Sequence, residues 1–457
     1  MVSETIHIYH TNDFHSHFEN WPRIRRLLME RKKSHEEAGE SVLIFDIGDH
    51  IDRSHPFTEA TLGQGNVKLL NKAGYDGVTI GNNEGMTLPK EGLNHLYDDA
   101  QFPVICANLY DESGKRPSWC LPYKIYELKN GWKVGVTGAT AYLSHAYCLL
   151  GWKVTPPLEE LKAQVDFLAR ETDLVVVLSH LGKYEDDKIA YEMEGADIVI
   201  GAHTHHVYPR GKEIKETLLA AAGKFGNYTG HIMIEIDPAA KKVVSKKALL
   251  YDVSEMKPAD HENEENVYYQ KEGKRLLSRP VVKLDRDLSV DWFKISPLVK
   301  WLCEGLREWC EADCAVLNAG LVLGPLRKGV ATKFDIHQIL PHPINPCAIT
   351  LNGAELKKFI HQTFDEKWPH KQVKGFGFRG KIWGIFAYDQ IEISKNKEII
   401  KIKGQKIIPE KQYRLAVPDL FTYGSFFPKL AQAKEKQYYM PEFLRDLMEW
   451  KLLRIFG

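Results

Sequence analysis

One arrangement repeats through the first half of this sequence, and it constrains the fold more than any other feature. A short apolar run ends abruptly in Asp, Asn or His, and a stretch with helical periodicity follows. Such runs predict buried strands, and residues 23–33 and 158–170 predict two of the helices between them. Alternating strands and helices favour stacked α/β layers, in which ligands bind beyond the carboxyl ends of the strands. The predicted strands are residues 6–9, 42–45, 77–80, 104–107, 134–137, 174–178 and 198–200.

Seven side chains that can bind a metal ion lie at the ends of these predicted strands. Asp13 and His15 are two residues apart, as are His203 and His205, so each pair can face one ion from a short loop. Imidazole, carboxylate and amide donors suit Zn, Mn, Fe or Co better than a thiolate site would. Seven donors are too many for one tetrahedral ion but suit two ions that share a bridging carboxylate. The seven candidate ligands are Asp13, His15, Asp49, Asn82, His180, His203 and His205.

Each of these residues, taken alone, also has a structural interpretation. A single His at a strand end is commonly a hydrogen-bonded structural residue, and an Asp after Gly, such as Asp49, commonly belongs to a turn. The ordered set of five donor-bearing segments favours a metal site over seven independent structural roles.

A change in composition divides the chain into two predicted domains. Residues 254–279 are dense in Glu, Lys, Asp and Asn, and we expect an inter-domain linker there. The first domain is then residues 1–253 and the second is residues 280–457. In the second domain we expect a helix near residues 297–311 and strands at 348–351, 390–393 and 413–417.

Charge and cysteine content restrict the class of protein. The 61 Lys and Arg residues balance the 61 Asp and Glu residues, so nothing predicts a nucleic-acid groove or an anionic membrane surface as a partner. The first residues lack the basic and apolar segments of a signal peptide, and no apolar stretch is long enough to span a bilayer. The seven cysteines are scattered, as is typical of idle thiols in a reducing compartment. We therefore expect a cytoplasmic protein, and the sequence predicts no oligomeric state.

Five segments of the first half resemble the motifs of the calcineurin-like metallophosphoesterases. More narrowly, they resemble the 5′-nucleotidase/UDP-sugar hydrolase family, whose members carry a distinct C-terminal domain. The resemblance implies a four-layer α/β/β/α domain followed by an α+β domain that recognises the substrate. The segments are Thr11-Asn12-Asp13-Phe14-His15, Gly48-Asp49, Gly81-Asn82-Asn83-Glu84, Leu178-Ser179-His180-Leu181-Gly182 and Gly201-Ala202-His203-Thr204-His205, and Ala222-Gly223-Lys224-Phe225-Gly226 also matches.

The resemblance also implies how the ligands are divided. One divalent ion would be held by Asp13, His15, Asp49 and His205, and the other by Asp49, Asn82, His180 and His203. Asp49 would bridge the two ions, and a metal-bound water or hydroxide would attack phosphorus in line with the leaving group. No covalent enzyme intermediate is implied.

The third motif departs from the family pattern at Asn83, where relatives have a histidine that contacts the phosphoryl group. An amide can donate a hydrogen bond but cannot deliver a proton near pH 7, and losing a general acid commonly costs about 10²–10⁴-fold in rate. We expect Asn83 to bind substrate and, with Asp49, to take part in catalysis. Either the substrates have better leaving groups, or another histidine substitutes (His50, His206 or His342), or catalysis has been lost.

The second half departs further from the family. The family's phosphate- or nucleoside-binding loop becomes Asn318-Ala319-Gly320-Leu321-Val322 without its arginine, and its Gly-Gly-Asp becomes Tyr423-Gly424-Ser425. In relatives two aromatic rings sandwich the base, and the candidates here are Phe376 or Phe378 together with Phe421. We expect Asn318, Phe376 and Phe421 to bind substrate, although core roles for the rings are equally compatible with the sequence.

These observations together predict a metal-dependent phosphoesterase with two divalent ions. Its expected substrate is a small phosphoester, a nucleotide or a related phosphorylated metabolite. A cyclic-nucleotide or dinucleotide phosphodiesterase is the alternative within the enzyme class, and a non-catalytic relative that binds metal and ligand is the alternative outside it.

Overall fold

The computed structural model describes residues 4–424 and 426–457. The chain divides into two compact units, with the boundary between Gly273 and Lys274. The first unit contains fifteen of the described strands: β1 (Glu4–Thr11), β2 (Ser41–Asp46), β3 (Gly77–Val78), β4 (Val104–Ile105), β5 (Leu109–Asp111), β6 (Cys120–Leu121), β7 (Tyr123–Glu127), β8 (Lys133–Thr140), β9 (Trp152–Val154), β10 (Leu174–His180), β11 (Ile198–Gly201), β12 (Lys212–Ile214), β13 (Thr217–Ala220), β14 (Tyr228–Asp237) and β15 (Lys242–Asp252).

Helices alternate with these strands along the chain, as the sequence predicts. They are α1 (Trp21–Glu37), α2 (Pro56–Thr61), α3 (Gln64–Ala73), α4 (Asn82–Thr87), α5 (Lys90–Leu96), α6 (Ser144–Leu149), α7 (Pro157–Glu171), α8 (Lys183–Glu192) and α9 (Glu262–Leu277). Prolines in the first turn of α1 and α7 favour these starts, because their missing N–H would have no partner there and their φ is already helical.

Two sheets form the centre of the first unit. The seven-stranded sheet has the order β15-β14-β1-β2-β3-β4-β6, and the six-stranded sheet has the order β12-β13-β11-β10-β8-β7. Strands β1, β2 and β3 are parallel, as are β8, β10, β11 and β13, whereas β14 and β15 run antiparallel to their neighbours.

Strand β10 shows why these layers stack. All of its residues are buried, and those from Leu174 to Leu178 are apolar, so this strand has an apolar side chain on both faces of the sheet. Val176 packs into the core between the two sheets, whereas Val177 packs against α7 and α8. On the far side, α1 buries Trp21 and Leu28 against the seven-stranded sheet. The order of layers is helix, sheet, sheet, helix, which confirms the predicted α/β/β/α fold.

The second unit contains a mixed sheet and five of the described helices. Its strands are β16 (Pro280–Leu284), β17 (Cys314–Asn318), β18 (Gly329–Thr332), β19 (Pro346–Asn352), β20 (Phe386–Asp389), β21 (Ile391–Ile393), β22 (Ile400–Ile402), β23 (Gln405–Lys406), β24 (Gln412–Pro418) and β25 (Lys436–Tyr438). Its helices are α10 (Pro297–Trp309), α11 (Lys333–Ile339), α12 (Gly353–Gln362), α13 (Pro428–Ala431) and α14 (Leu444–Phe456). The main sheet has the order β20-β17-β24-β19-β25. This unit has the predicted α+β class.

The segment predicted as a linker contains α9, whose first three turns pack on the first unit. Arg23 pairs with Glu262 at 2.8 Å, and the rings of Phe18 and Tyr269 lie 4.9 Å apart. A Cβ at Gly273 would lie 2.4 Å from the backbone nitrogen of Phe57, so this helix approaches the first unit closely. The linker bounds, residues 254–279, stay a prediction. Among the described residues, no helix combines the length and the apolar character that crossing a membrane would require.

Candidate metal centre

The seven candidate ligands lie at or just beyond the carboxyl ends of neighbouring strands. The loop after β1 carries Asp13 and His15, and the loop after β2 carries Asp49. Asn82 begins α4 beyond β3. From the other sheet, His180 ends β10, and the loop after β11 carries His203 and His205. The parallel arrangement therefore directs donors from both sheets to one edge of the first unit.

Asp13, His15 and His205 form the first group of donors. One donor atom of each residue lies within 4.8 Å of the others. The Nε2 atoms of His15 and His205 are 3.3 Å apart, and Asp13 Oδ1 lies 3.5 Å from His205 Nε2. This group joins the ends of the two sheets, since His15 follows β1 and His205 follows β11.

The second group contains Asp13, Asp49 and His180, whose donor atoms also lie within 4.8 Å of one another. Asn82 Oδ1 extends this group, at 3.3 Å from His180 Nε2 and 2.8 Å from His203 Nδ1. The structure therefore brings all seven predicted donors together.

Asp49 lies between the two groups. Its Oδ2 atom is 3.7 Å from His15 Nε2, and its Oδ1 atom is 3.5 Å from His180 Nε2. Each carboxylate oxygen thus faces one group, which is the position that a bridging ligand requires. Asp13 contributes to both groups.

The donor set fits divalent metal ions. Ligands around a tetrahedral zinc ion, with Zn–N of about 2.0–2.1 Å, are separated by about 3.3 Å, close to the separations found here. Burial lowers the pKa of His203 to about 4 and of His205 to about 3, so both are neutral near pH 7, the form in which imidazole binds metals. Although burial opposes it, the carboxylates of Asp49 and Asp13 raise the pKa of His180 to about 10. Two buried carboxylates therefore attract positive charge to this site.

The backbone at the ligands is in an unusual conformation. Five of the seven donors have left-handed φ values: 50° at Asp13, 48° at His15, 52° at Asp49, 70° at His203 and 56° at His205. Non-glycine residues seldom adopt this conformation, and such strain is concentrated at functional sites. The loops thus hold the donors in conformations that the surrounding fold must stabilise.

Glu84 organises the loops that carry Asp49 and Asn82, a role that its motif alone did not reveal. Its buried carboxylate accepts hydrogen bonds from the backbone nitrogens of Asp49 (2.9 Å), Ile51 (3.1 Å) and Gly81 (2.8 Å). The two loops also meet at glycines. A Cβ at Gly48 would lie 2.3 Å from the nitrogen of Gly81, and one at Gly81 would lie 2.1 Å from Asp49 Oδ1. Position 84 could be recognised from sequence only as a buried acid near a helix start.

Asn12 connects the loop of Asp13 to the segment Ala222-Gly223-Lys224-Phe225-Gly226. Its amide donates to the oxygen of Gly223 at 2.8 Å and accepts from the nitrogen of Ala222 at 3.1 Å. The nitrogen of Phe225 donates to the oxygen of Asp13 at 2.7 Å. This segment, which contains no candidate metal ligand, therefore holds the loop of Asp13 in place.

Asn83, predicted to be catalytic and substrate-binding, is buried beside the first donor group. Its Nδ2 donates to the oxygen of Ile51 at 2.8 Å and lies 3.0 Å from His15 Nδ1. Its backbone nitrogen donates to Asp49 Oδ1 at 2.7 Å. In this structure the amide holds the ring of His15 on the side opposite its Nε2 atom, and the catalytic role stays a prediction.

The three histidines considered as substitutes for the family histidine are mostly buried. His50 stacks on Phe14 at 4.7 Å, and burial lowers its pKa to about 3. His206 has a pKa of about 4 for the same reason, and its Nε2 atom lies 3.4 Å from Asp186 Oδ2. His342 is in the second unit, where its Nε2 donates to the oxygen of Leu321 at 2.7 Å. Each has a packing or hydrogen-bonding role within its own unit.

The candidate substrate-binding residues of the second unit differ in exposure. Asn318 is buried and donates to the oxygen of Trp383 at 2.8 Å. Phe421 is buried and stacks on Trp383, with ring centroids 5.3 Å apart, so its position here serves packing. Phe378 is buried against His342. Phe376 is 48% exposed and has a φ of 53° between two glycines. Ser425, which stands in the altered Gly-Gly-Asp motif, lies outside the described residues.

Comparison with known families and proteins agrees with this architecture. The family model of the calcineurin-like phosphoesterases matches residues 6–207, and that of the 5′-nucleotidase C-terminal domain matches residues 277–431. The uncharacterized metallophosphoesterase YunD of Bacillus subtilis is 43% identical, over 99% of this chain and 100% of that protein. A 5′-nucleotidase of Vibrio cholerae is 26% identical, over 93% of this chain and 86% of its own. In fold, the NAD nucleotidase of Haemophilus influenzae matches with a TM-score of 0.67 at 14% identity, covering 100% of this chain and 97% of that one.

Proposed function

The chain belongs to the calcineurin-like metallophosphoesterases that carry a 5′-nucleotidase C-terminal domain, and on that premise we propose that it hydrolyses nucleotides or related phosphorylated metabolites with two divalent ions. This is a family of hydrolases that act on phosphoester bonds. The observation that carries the proposal is the convergence of seven nitrogen and oxygen donors from five segments of the chain at one edge of the two sheets.

The residues divide into two proposed ligand sets. Asp13, His15, Asp49 and His205 hold one ion, and Asp49, Asn82, His180 and His203 hold the other. When bound, such ions compensate charge on phosphoryl oxygens and activate water near neutral pH. The protein fixes the positions of the ligands before substrate binds. Glu84 and the close contact between Gly48 and Gly81 keep the loop of Asp49 in place. The identity of the ions is open among Mn, Zn, Fe and Co.

A second candidate function is the hydrolysis of phosphodiesters or anhydrides, which have better leaving groups than alkyl monoesters. Asn83 favours it, because this residue cannot donate a proton near pH 7 and its amide is engaged by Ile51 and His15. With general acid assistance reduced, the rate on alkyl monoesters falls most.

Substrate recognition is proposed for the second unit, with the domain limits given by the sequence. Phe376 supports this proposal, because its exposed ring can stack on a flat base and lies 5.4 Å from the ring of Phe426. Asn318 and Phe421 are also proposed to contact the substrate. Both side chains are buried in this structure, so they must move to reach it. A cytoplasmic location is also proposed. It is supported by the seven cysteines, all of which lie in described residues and are unpaired.

The direct test is product release from a panel of phosphoesters. The panel contains nucleotides, cyclic nucleotides, nucleotide sugars and an activated aryl phosphodiester, each with Mn²⁺, Zn²⁺, Co²⁺ or Mg²⁺. Asp49→Ala is the matched blank, because it removes the proposed bridging ligand. We expect metal-dependent turnover that this variant lacks. Two bound metals with no turnover on any compound would contradict the proposal and favour the ligand-binding alternative.

The variant Asn83→His separates the two candidate functions. If the missing general acid limits the rate, nucleotide monoester hydrolysis rises by about 10²-fold or more, and activated diester hydrolysis changes little. An unchanged monoester rate would instead favour diesters or anhydrides as the natural substrates.

A further inference from the structure

A second group of histidines lies outside the candidate metal centre, on the face of β1 opposite the core between the sheets. His7 belongs to β1, His231 to β14 and His35 to α1. One ring nitrogen of each lies within 4.8 Å of the others. Glu40, which follows α1, adds a carboxylate. Three imidazoles and one carboxylate are therefore brought together from separate parts of the first unit.

The two ring nitrogens of His7 face different partners. His7 Nδ1 lies 2.9 Å from His231 Nε2. Glu40 Oε2 lies 2.7 Å from His35 Nδ1 and 3.2 Å from His7 Nε2. An imidazole binds an ion through one nitrogen, so the His7 ring must turn to bring all four residues to one ion, whose ligands are about 3.3 Å apart in a tetrahedral zinc site.

The far ring nitrogens of two of these histidines are held by tyrosine hydroxyls. Tyr9 Oη lies 3.0 Å from His35 Nε2, and Tyr251 Oη lies 3.4 Å from His231 Nδ1. Metal-binding histidines almost always have such a partner on the nitrogen that does not face the ion, because it fixes the orientation of the ring. Moreover, His7 Nε2 is buried and has no hydrogen bond of good geometry, although it faces Glu40.

The protonation states suit a cation. Burial lowers the pKa of His7 to about 4 and of His231 to about 3, so both rings are neutral near pH 7. The hydrogen bond from His35 lowers the pKa of Glu40, which is therefore ionised. Two neutral imidazoles and an ionised carboxylate are donors that a metal ion can bind directly.

We propose that His7, His35, His231 and Glu40 form a third metal site of this chain, specific for a zinc-like divalent ion. Imidazole-rich sites prefer Zn²⁺, Co²⁺ or Ni²⁺ over Mg²⁺ or Ca²⁺, which take oxygen ligands. A bound ion ties the end of α1 to β1 and β14, so its role is structural. It does not rest on the proposed function.

Binding changes one contact in a defined way. The rings of His7 and His35 are stacked, with centroids 3.6 Å apart and planes 20° from parallel. Each imidazole must point a lone pair at the ion within its own ring plane, so the stack opens when the ion binds. Without the ion the other donor atoms of this group are hydrogen-bonded, and His7 Nε2 is the buried nitrogen that an ion would satisfy.

The test counts zinc on the full-length chain after removal of metal by a chelator. Elemental analysis and calorimetric titration with Zn²⁺ are expected to give three ions per chain, and two in the variant His35→Gln/Glu40→Gln. The background variant Asp13→Asn/Asp49→Asn lacks two ligands of the candidate metal centre and should retain one zinc ion. Adding His35→Gln and Glu40→Gln to this variant should remove that ion. Tetrahedral Co²⁺ absorption provides a second readout in that background.

His95→Gln is the matched control, because His95 is exposed and also lies beside carboxylates, 2.8 Å from Asp98. It should leave all zinc counts unchanged. His35 and Glu40 are partly exposed, so their variants are expected to fold, and equal circular dichroism and melting of the metal-free proteins will verify this. The proposal is overturned if the Asp13→Asn/Asp49→Asn background binds no zinc, or if His35→Gln/Glu40→Gln binds as many zinc ions as the control.

Discussion

Asn83 shows how one side chain can be assigned two different roles. By motif it occupies the position of a residue that contacts the phosphoryl group. In the structure, its Nδ2 atom donates to the oxygen of Ile51 at 2.8 Å and lies 3.0 Å from His15 Nδ1. These contacts position the ring of a proposed metal ligand. Because Asn83 Nδ2 can only donate, an ion on His15 Nε2 requires another acceptor for the Nδ1 proton, and the carboxylate of Asp52 lies 3.9 Å from that nitrogen.

We predict that Asn83→Ala weakens metal activation by up to about 10²-fold while leaving the KM for substrate nearly unchanged at saturating metal. The physical reason is that the ring of His15 loses the contact that positions it between Asp49 on the Nε2 side and Asp52 on the Nδ1 side. The measurement is the rate as a function of Mn²⁺ concentration, with Asn94→Ala on the surface helix α5 as the control. A reduced kcat with unchanged metal dependence would show instead that Asn83 acts on the substrate.

At the scale of elements, the site depends on close contact between two loops. The loop after β2 and the start of α4 meet through Gly48 and Gly81, and Glu84 accepts three backbone hydrogen bonds from them. A buried carboxylate in this position accepts hydrogen bonds from backbone N–H groups that would otherwise have no partner. Leaving one such buried donor unsatisfied costs about 1–3 kcal/mol. The loops therefore act as one rigid platform for Asp49 and Asn82.

We predict that Gly48→Ala abolishes metal-dependent activity, with a loss of at least about 100-fold. Its φ is 83°, and a Cβ would lie 2.3 Å from the backbone of Gly81, so the loop must move and take Asp49 with it. Misplacement of a catalytic group by about 1 Å can cost about 10²-fold. The measurement is the initial rate at saturating Mn²⁺.

The matched control for this prediction is Gly39→Ala. Gly39 has a similar φ of 78°, but a Cβ there would have no neighbour within 4 Å. This variant bears the same backbone strain, about 1–2 kcal/mol, without the clash. It should melt at a lower temperature and retain full activity. Equal losses in both variants would mean that strain alone, and not loop contact, accounts for the effect.

At the scale of the whole molecule, bound metal ions and buried acids determine how the stability of the chain depends on metal concentration and pH. The two carboxylates of the candidate metal centre, Asp13 and Asp49, are almost fully buried. Burying charges of like sign without a counter-charge is costly, and a bound cation relieves that cost. Metal binding and folding of the first unit are therefore coupled.

We predict that a chelator lowers the melting temperature and that Mn²⁺ restores it. Binding at a free concentration about 1,000 times Kd stabilises the folded state by about 4 kcal/mol. Mn²⁺ is chosen because it favours oxygen ligands, of which the candidate metal centre offers Asp13, Asp49 and Asn82 and the proposed third site offers one carboxylate. Scanning calorimetry should show the shift in the wild type and a much smaller one in Asp49→Asn. An equal shift in both proteins would contradict the assigned ligands.

The second unit should show its own dependence on pH through Asp419. Burial raises the pKa of this carboxyl from 3.8 to about 7. Between these values the folded chain retains a proton that the unfolded chain releases, so the contribution to stability is present below about pH 4 and is lost as the pH rises towards 7. A shift of this size corresponds to about 4 kcal/mol at most.

We predict that Asp419→Asn, which stays neutral, gains stability relative to the wild type as the pH rises from 4 to 7. Melting temperatures across this range provide the measurement. The control is Asp285→Asn, an exposed acid whose side chain is 65% accessible. A difference between Asp419→Asn and the wild type that does not change with pH would indicate that Asp419 is ionised throughout.

The sequence by itself determined the alternation of strands and helices and the positions of the candidate ligands. Continuous apolar runs such as β10 can be buried only between two covered faces, and donors placed directly after such strands must gather where parallel strands end. The stacked α/β layers that these runs predict are confirmed for this reason, and the α/β/β/α and α+β classes that the family resemblance implies are confirmed with them. The convergence of Asp13, His15, Asp49, Asn82, His180, His203 and His205 follows from the same local pattern.

Only the tertiary structure decided which other side chains meet these residues. Glu84 binds nitrogens 33 to 35 residues earlier in the chain, and Asn83 contacts His15 across 68 residues. The cluster of His7, His35 and His231 joins positions up to 224 residues apart. The exposure of Phe376 and the burial of Phe421 likewise depend on packing among many residues. Local sequence patterns specify strands, helices and their ends, whereas contacts between distant segments depend on the packing of the whole chain, which no short pattern encodes.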